Sequence, residues 1–423
     1  MLGIAALIAW RARPGFRNDA RPLDIALVLT AAGCAVQLLP LPAALVDVVS
    51  PYREAVVQHV RLAPAPTAWA PLSVEPASSL HATAVFVAAV LLFVGSRELF
   101  ASRGVRSTCR GIAWIGLALS CAAMVQRGVS ATRIYGFWVP YEAGALPYGP
   151  FVNRNYCATW LVLATPLCIG YLMARLGGQR PATGGRAAGS WVSTMDSKSI
   201  WLAVAGTTMV LALAVSLSRS GIMGLLVAAV VLVIAGRRRI SGARLMWIAM
   251  LAAVGGLAVL AFADVPAVIS RFGEGVGSGI GRARIWQDTL PILRDFWPAG
   301  TGNGTYQTAM LLYQTGDRMY SFNQAHNHYL HVAAEGGLIV GGPVAIAAWT
   351  FVRLAGRRLR EDVSGMFWIR AGAAAGLGGV AAQSVWETGL RAPANALLAA
   401  VLAALLVHAP AAAVQAREGR PSR

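Results

Sequence analysis

The stretch IWLAVAGTTMVLALAVSLSRSGIMGLLVAAVVLVIA (residues 200–235) decides the fold class. It holds two apolar segments, Ile200–Leu217 and Gly221–Ala235, which are separated only by a short polar junction around Arg219. A helix of about 20 apolar residues crosses a bilayer core of roughly 30 Å. The stretch therefore predicts two consecutive transmembrane helices that are joined by a tight turn.

The same pattern continues along the chain, which has 423 residues, of which 57% are hydrophobic and only 13% are charged. Soluble globular domains carry about 25% charged residues. Met1–Trp10 looks like the end of a further span, and no small-residue cleavage site of a signal peptide follows it. We expect an all-α fold, a polytopic transmembrane helix bundle of about 10–12 spans. The ten predicted spans are Leu23–Leu39, Leu80–Val94, Ile112–Val125, Tyr156–Met173, Ile200–Leu217, Gly221–Ala235, Leu245–Phe262, Tyr329–Val352, Met366–Val385 and Ala394–Val407.

The orientation of the spans follows from the basic residues, because cytoplasmic loops retain Arg and Lys. Every second loop is basic, and this alternation supports the predicted spans independently of hydropathy. The net charge of +18 is then mostly a matter of topology, so we expect no nucleic-acid partner. The basic clusters begin at Arg11, Arg97, Arg175, Arg237, Arg353 and Arg417.

Two of the loops on the opposite, outer side are long. Valines alternate with polar residues within Pro40–Ser79, which predicts a short amphipathic helix on the membrane surface, although a simple spacer explains the segment equally well. The longest loop, residues 264–327, has Gly-rich segments on both sides of a predicted helix at Ala283–Asp295. Its aromatic content argues against disorder, and long ordered loops usually have a function.

The outer face is unusually rich in arginine, contrary to the positive-inside tendency. An anionic ligand explains this enrichment, because guanidinium presents a planar fork of donors that suits phosphate oxygens. Pairing with lipid headgroups or with Asp288, Asp295 and Asp317 is the alternative. The outer arginines are Arg127, Arg133, Arg154, Arg219, Arg271, Arg282, Arg284, Arg294 and Arg318.

Arg219 is predicted to lie at membrane depth, where ionisable residues are costly and usually functional. Ser218, Ser220 and Gly221 surround it and favour an opening of the backbone at this point. The next helix would then start with its free N–H groups facing the same anion. A structural arginine that caps the preceding helix is the alternative.

Three histidines, His326, His328 and His331, lie in the segment AHNHYLH. Residues two positions apart on a helix point about 200° from each other, so His326 and His328 cannot both bind one metal from a regular helix. His328, His331 and Glu335 do share one stripe. We expect no metal site here, and we expect a histidine that acts as a base or hydrogen-bond donor.

Two further polar groups lie at the outer ends of predicted spans. Asn153, Arg154 and Asn155 belong to FVNRNY, and their amides suit sugar hydroxyls, although Asn153 would also cap a helix. Glu387 is a candidate for substrate binding or base catalysis. A structural ion pair with Arg391, four positions later, is the alternative.

Five segments share an order, a spacing and a predicted membrane face. They are GPFVNRNYCATWLVLATPLCIG (149–170), SLSRSGIMGLL (216–226), GRARIWQDTLPILRDFWPAGTGNGTY (281–306), AHNHYLHVAAEGGLIVGG (325–342) and QSVWETGLRAPANALL (383–398). Together they resemble the O-antigen ligase and O-antigen polymerase superfamily of bacterial envelope glycosyltransferases.

The resemblance implies an enzyme that transfers a glycan from undecaprenyl pyrophosphate to an acceptor hydroxyl at the periplasmic face of the bacterial inner membrane. In such enzymes the arginines that match Arg219 and Arg282 hold the pyrophosphate, and the histidine that matches His326 activates the acceptor. His328 stands at a position where many members of this superfamily have Asp or another residue. The remaining predicted substrate-binding residues are Asn153, Arg154, Asn155, Arg284, His328, Glu335 and Glu387, of which Glu335 and Glu387 are rival bases.

We expect one integral membrane domain over residues 1–423, with residues 264–327 as its large periplasmic loop and residues 149–398 as its catalytic region. The expected reaction is inverting and needs no metal or other cofactor. An O-antigen ligase acting on lipid A core is favoured, with a polysaccharide polymerase as the alternative within the superfamily. A non-catalytic transporter of the carrier-linked glycan is the alternative from another class, but the predicted spans are nearly free of the ionisable residues that coupling requires.

Overall fold

The computed structural model describes residues 19–60, 68–130, 132–140, 146–178, 196–237, 239, 282–315 and 321–409. Most of this part of the chain is helical. The strands within it are β1 (Leu41–Pro42) and β2 (Trp69–Ala70), which pair antiparallel. The predicted span Leu245–Phe262, the segment Met1–Trp10 and the first part of the long outer loop lie outside the described residues.

The helices follow the apolar segments of the sequence. Every predicted span that falls in the described residues coincides with a helix, and the predicted helix Ala283–Asp295 is also present. In chain order the helices are α1 (Arg21–Val36), α2 (Ala43–Val49), α3 (Arg53–Val60), α4 (Pro76–Ser102), α5 (Val105–Val129), α6 (Arg154–Gly178), α7 (Ser197–Val215), α8 (Arg219–Gly236), α9 (residues 282–295), α10 (Tyr306–Tyr313), α11 (His328–Glu361), α12 (Met366–Gln383) and α13 (Pro393–Val407).

Six helices of the described residues, α4 to α8 and α11, are long and apolar enough to cross a membrane. The all-α, polytopic fold predicted from the sequence is thereby confirmed. Three predicted spans fall outside this group. α1 and α13 have only 16 and 15 residues, and α12 carries Arg370 and Gln383 among its 18 residues.

The described residues form two compact units. Unit 1 draws on residues 19–95, 282–354 and 384–393, and unit 2 draws on residues 96–239, 355–383 and 394–409. Each unit contains several of the predicted functional residues.

In unit 2, the helix α12 packs closely against α6 and α8. A Cβ atom at Gly379 would lie only 2.5 Å from the carbonyl oxygen of Gly224. Small residues allow helix backbones in membranes to approach this closely. The packing positions the start of α8, where Arg219 is the first helical residue.

In unit 1, the glycine-rich turn that follows α9 interlocks with α11. Gly300 has φ +69°, and a Cβ atom there would lie 2.2 Å from the carbonyl oxygen of Glu335, so only glycine fits. α11 is itself interrupted at Gly337, where φ is 52°. Gln37 Nε2 joins the two segments, since it donates to the carbonyl oxygens of Ala299 (2.7 Å) and Glu335 (2.8 Å).

The predicted amphipathic helix within Pro40–Ser79 is present as α2 and α3. Val56 and Val57 are buried in a hydrophobic cluster that also contains Ile292 of α9 and Tyr306 of α10. The apolar face therefore packs on protein. The position of the helix on the membrane surface stays a prediction, and its contacts make the segment part of unit 1 rather than a spacer.

Candidate functional site

In unit 1, His326 lies in the loop that leads into α11. Asn327 caps this helix, because its Oδ1 accepts hydrogen bonds from the backbone N–H groups of Tyr329 (3.0 Å) and Leu330 (3.1 Å). His326 has φ +48°, and a non-glycine residue adopts such a conformation at a cost of about 1–3 kcal/mol. The cap and the strained backbone fix the direction in which the His326 side chain leaves the chain.

Two further hydrogen bonds hold the same loop. Trp286 Nε1, on α9, donates to the carbonyl oxygen of Ala325 at 2.9 Å. Arg391 Nη1 donates to the carbonyl oxygen of Asn323 at 3.0 Å. The loop is therefore anchored both to α9 and to the segment around Glu387.

Glu387 brings together the two residues of unit 1 to which the resemblance assigns a role. Its carboxylate is buried, with a side chain that is 1% exposed, and Oε1 accepts a hydrogen bond from Arg282 Nη2 at 3.0 Å. Its Oε2 lies 3.9 Å from His326 Nδ1. Arg282 and His326 are both half-buried. Glu387 therefore forms its ion pair with Arg282, and not with Arg391 as the structural alternative predicted.

This arrangement suits general-base catalysis. His326 Nδ1 is buried and has no hydrogen-bond partner within the described residues, and the carboxylate of Glu387 that it faces lies 3.9 Å away. A carboxylate on one side of an imidazole stabilises the imidazolium that forms when the other nitrogen accepts a proton. Distances of this kind are often long in the absence of substrate. The geometry therefore favours His326 as the proton acceptor, with Glu387 as its orienting partner.

Glu335, a rival base, lies in a different environment. It is 5% exposed, and its Oε1 accepts a hydrogen bond from Tyr306 N at 3.0 Å and lies 3.0 Å from His331 Nε2. Ala325 N donates to His331 Nδ1, so the proton of a neutral ring lies on Nε2 and faces Glu335. Burial also raises the pKa of the Tyr306 phenol to about 12. These contacts favour a structural role for Glu335 over the predicted contact with substrate.

Replacing Glu335 with glutamine is expected to destabilise the protein while sparing the chemistry. The amide keeps the shape of the side chain but removes the charge that accepts the hydrogen bond from Tyr306 N and faces His331, and a hydrogen bond to a charged group contributes about 1.5–3 kcal/mol. The apparent unfolding temperature in detergent should fall. Turnover of the remaining folded protein should stay close to that of the parent.

The matched control for this variant is Asp47→Asn, which removes an exposed carboxylate of the same unit. Its unfolding temperature should not change. The assignment is contradicted if Glu335→Gln unfolds at the parent temperature and yet has no turnover, because that result would make Glu335 the base.

In unit 2, the structure brings together two of the sequence segments that carry the resemblance. Ser218 Oγ, next to Arg219, donates to Asn155 Oδ1 at 2.8 Å. Ser218 also caps α8, since its Oγ accepts a hydrogen bond from Gly221 N at 3.2 Å. The guanidinium-bearing end of α8 and the amide of Asn155 therefore form one polar cluster. Arg219 itself is half-buried, at the start of a helix long enough to cross a membrane.

Asn153 takes the alternative role that the sequence offered. Its Oδ1 accepts a hydrogen bond from Asn155 N at 2.8 Å, and its carbonyl oxygen accepts one from Tyr156 N at 3.0 Å. These bonds start α6, which begins at Arg154. Contact of Asn153 and Arg154 with substrate stays a prediction.

The other predicted binding residues and the aspartates of the long loop are also placed by the structure. Arg284 is exposed and donates to the carbonyl oxygen of Thr315 at 3.4 Å. His328 starts α11. Asp288 accepts a hydrogen bond from Thr315 Oγ1 at 2.7 Å, and Asp295 pairs with Arg294 at 2.9 Å. Of the outer arginines that the structure describes, Arg294 therefore pairs with an aspartate, which was the alternative to an anionic ligand.

Sequence reasoning missed residues that organise the site without touching its reacting groups. Asn327 is one, although an asparagine just before an apolar helix is a recognised capping signal. Trp286 is another, and no local pattern predicts its contact with Ala325. Gln324 and Thr388, whose side chains are hydrogen-bonded to each other, likewise pair only in the folded chain.

The family model described as O-antigen ligase matches residues 204–345. Residues 204–345 are therefore similar to an O-antigen ligase domain. The match confirms the predicted superfamily, and it includes Arg219, Arg282 and His326, whereas Glu387 and Asn155 lie beyond it. A search of curated proteins finds no match.

Together with the six apolar helices, this similarity indicates a multi-pass membrane enzyme that processes O-antigen or related polysaccharides. The similarity to this family implies a lipid-linked glycan donor and a glycan or lipid acceptor. This similarity indicates the class of reaction. The residues of units 1 and 2 supply the groups from which a mechanism can be argued.

Proposed function

We propose that the protein transfers a glycan from undecaprenyl pyrophosphate to a hydroxyl of lipid A core, as an O-antigen ligase. The observation that carries this proposal is the contact of the buried Glu387 with both Arg282 and His326, beside a region that matches the O-antigen ligase family. An acid, a cation and an imidazole in one cluster can supply a base and an anion-binding group.

The proposed reaction is a single displacement. The acceptor hydroxyl gives its proton to Nε2 of His326, and its oxygen attacks the anomeric carbon of the glycan. The bond from that carbon to the diphosphate breaks, and undecaprenyl pyrophosphate leaves with the electron pair. The proton then passes from His326 to the leaving diphosphate or to water. A single displacement inverts the anomeric centre.

Negative charge builds up on the diphosphate as the bond breaks, and fixed cations stabilise it without reorganisation. Arg282 and Arg219 are the proposed cations, as the resemblance implies. The helix α8 starts at Arg219, so the positive end of its dipole adds to the same effect. Because these groups are side chains and backbone amides, we expect turnover to persist in excess chelator.

The proposed location is the bacterial inner membrane, with the reacting groups at the periplasmic face. The basic clusters in every second loop support this orientation, since Arg219, Arg282 and His326 all fall in or beside loops of the opposite side. Residues 149–398 are the proposed catalytic region, and residues 264–327 form the proposed periplasmic loop within one membrane domain.

Two experiments test the proposal. Purified protein that receives carrier-linked glycan and lipid A core should form the joined product, whereas a protein that only binds the carrier would be the non-catalytic transporter. Deletion of the gene should leave full-length polymer on its carrier. A deletion strain that accumulates single repeat units would instead identify the polysaccharide polymerase.

A further inference from the structure

A cavity opens at the end of unit 2 that lies opposite Arg219 along the helix bundle. α7 runs between these two ends, from Ser197 to Val215, just before Arg219. The cavity has a volume of about 400 Å³ and is lined by Arg106, Tyr171, Arg175, Ser364, Met366 and Ile369, among others. The lining residues come from α5, α6, α12 and the turn before α12.

The carboxylates next to this cavity are already engaged. Asp196 accepts hydrogen bonds from Ser199 Oγ at 2.6 Å and from Arg175 Nη2 at 2.5 Å. The bond from Ser199, followed by the contact with Arg175, lowers the pKa of Asp196 and keeps it ionised. Asp362 accepts hydrogen bonds from Ser364 and, at 2.8 Å, from Arg370. Neither carboxylate is left to neutralise a further cation.

Cationic donors remain unmatched around the cavity. Arg175 Nε is buried and has no hydrogen-bond partner in the described residues. Arg106 is exposed and forms no ion pair or hydrogen bond with any part of the chain that the structure describes. Two guanidinium groups that share a cavity and have spare donors favour an oxyanion, and the fork geometry of guanidinium suits phosphate.

The rest of the lining is amphiphilic. α12 has 18 residues and begins at Met366, so the positive end of its dipole meets the cavity. Met366 and Ile369 supply apolar surface. α5 begins at Val105 and α6 ends at Gly178, so the cavity lies where membrane-crossing helices end and where lipid headgroups are found. Basic pockets between helices on the cytoplasmic side bind anionic headgroups in other membrane proteins.

We propose that this cavity is a binding site for a phosphate group, either that of an anionic glycerophospholipid or free phosphate. Its ligand is separate from the glycan donor, since Arg219 starts α8 at the far end of α7. The bound anion bridges Arg106 on α5 and Arg175 on α6. It would therefore tie these two helices together at this end of unit 2.

The test uses the purified full-length protein in detergent, with short-chain phosphatidylglycerol, phosphatidylcholine and inorganic phosphate as separate probes. Native mass spectrometry counts bound lipid, and the apparent unfolding temperature measures stabilisation. Protection by phosphatidylglycerol above that by the other two identifies a lipid site. Equal protection by inorganic phosphate identifies a site for the free anion.

Arg106→Gln is the deciding variant, because Arg106 has no internal partner to lose. Its affinity for the effective probe should fall about tenfold, as expected when one charge-assisted hydrogen bond is removed. Arg110→Gln is the matched control, since Arg110 is exposed on the same helix and does not line the cavity. Arg175→Lys, which keeps a cation beside Asp196 but removes Nε, should weaken binding as well. Unchanged binding by both cavity variants would overturn the proposal.

Discussion

Replacement of His326 with asparagine is expected to abolish glycan transfer while leaving donor binding intact. Removal of a general base typically lowers the rate by about 10²- to 10⁴-fold. Asparagine is the informative substitution, because His326 has φ +48° and asparagine tolerates this region of backbone space better than most residues. The loop should therefore keep its conformation while the base is lost.

The measurement is a steady-state comparison of purified variants with carrier-linked glycan and acceptor. A residue that acts in the transition state lowers kcat and kcat/KM together and leaves the KM for the donor nearly unchanged. His59→Gln is the matched control, because His59 is exposed on α3 and lies among no predicted site residues. Substantial turnover by His326→Asn would rule out His326 as the base and would direct attention to Glu387.

The helices of this protein were predictable because each is long and apolar. Periodicity cannot tell which surface an apolar face will meet, however. Val56 and Val57 belong to the helix expected on the membrane surface, and they pack against α9 and α10 of unit 1. The same apolar residues satisfy either environment, so the partner is set by tertiary structure and not by local pattern.

The pairing of Glu387 illustrates a second limit. Its spacing from Arg391 suggested a helical ion pair, but that rule holds only within a regular helix. The chain forms a short 3₁₀ turn at Gly389–Arg391. Glu387 instead meets Arg282, which is 105 positions away in the sequence. Contacts at that separation have no local signal.

Glu335 and His331 show the opposite case. Their spacing of four residues on α11 correctly places them on one stripe, and their side chains lie 3.0 Å apart. Glu335 and His331 are buried, whereas His326 is half-buried. A sequence pattern does not show whether a polar residue is buried. The sequence therefore named the candidate groups, and the fold distinguishes those that are exposed enough to meet a substrate.

Replacement of Arg282 with alanine is also expected to lower turnover strongly, because Arg282 has two functions in the proposed mechanism. It neutralises the buried Glu387, and it is proposed to bind the donor diphosphate. Arg282→Ala removes both functions, so the loss of turnover that we expect, about 10²- to 10³-fold by analogy with other electrostatic groups, does not separate them. Removing one partner of a buried ion pair also costs about 3–5 kcal/mol of stability.

A double-mutant cycle with Glu387→Gln separates the two functions. Glu387→Gln removes the carboxylate that holds Arg282 Nη2, so this variant should bind the donor at least as tightly as the parent. Arg282→Ala should weaken donor binding by about 1.5–3 kcal/mol, which is roughly 10- to 150-fold in Kd. The measurement is donor affinity by titration with carrier-linked glycan.

The double variant, Arg282→Ala with Glu387→Gln, shows which of the two functions Arg282 has. Its stability should recover, because the buried carboxylate and its cation are removed together. Its donor affinity should stay as weak as that of Arg282→Ala if Arg282 contacts the diphosphate. Recovery of affinity in the double variant would mean that Arg282 serves only to neutralise Glu387, and the diphosphate would then depend on other cations, with Arg219 the first to test.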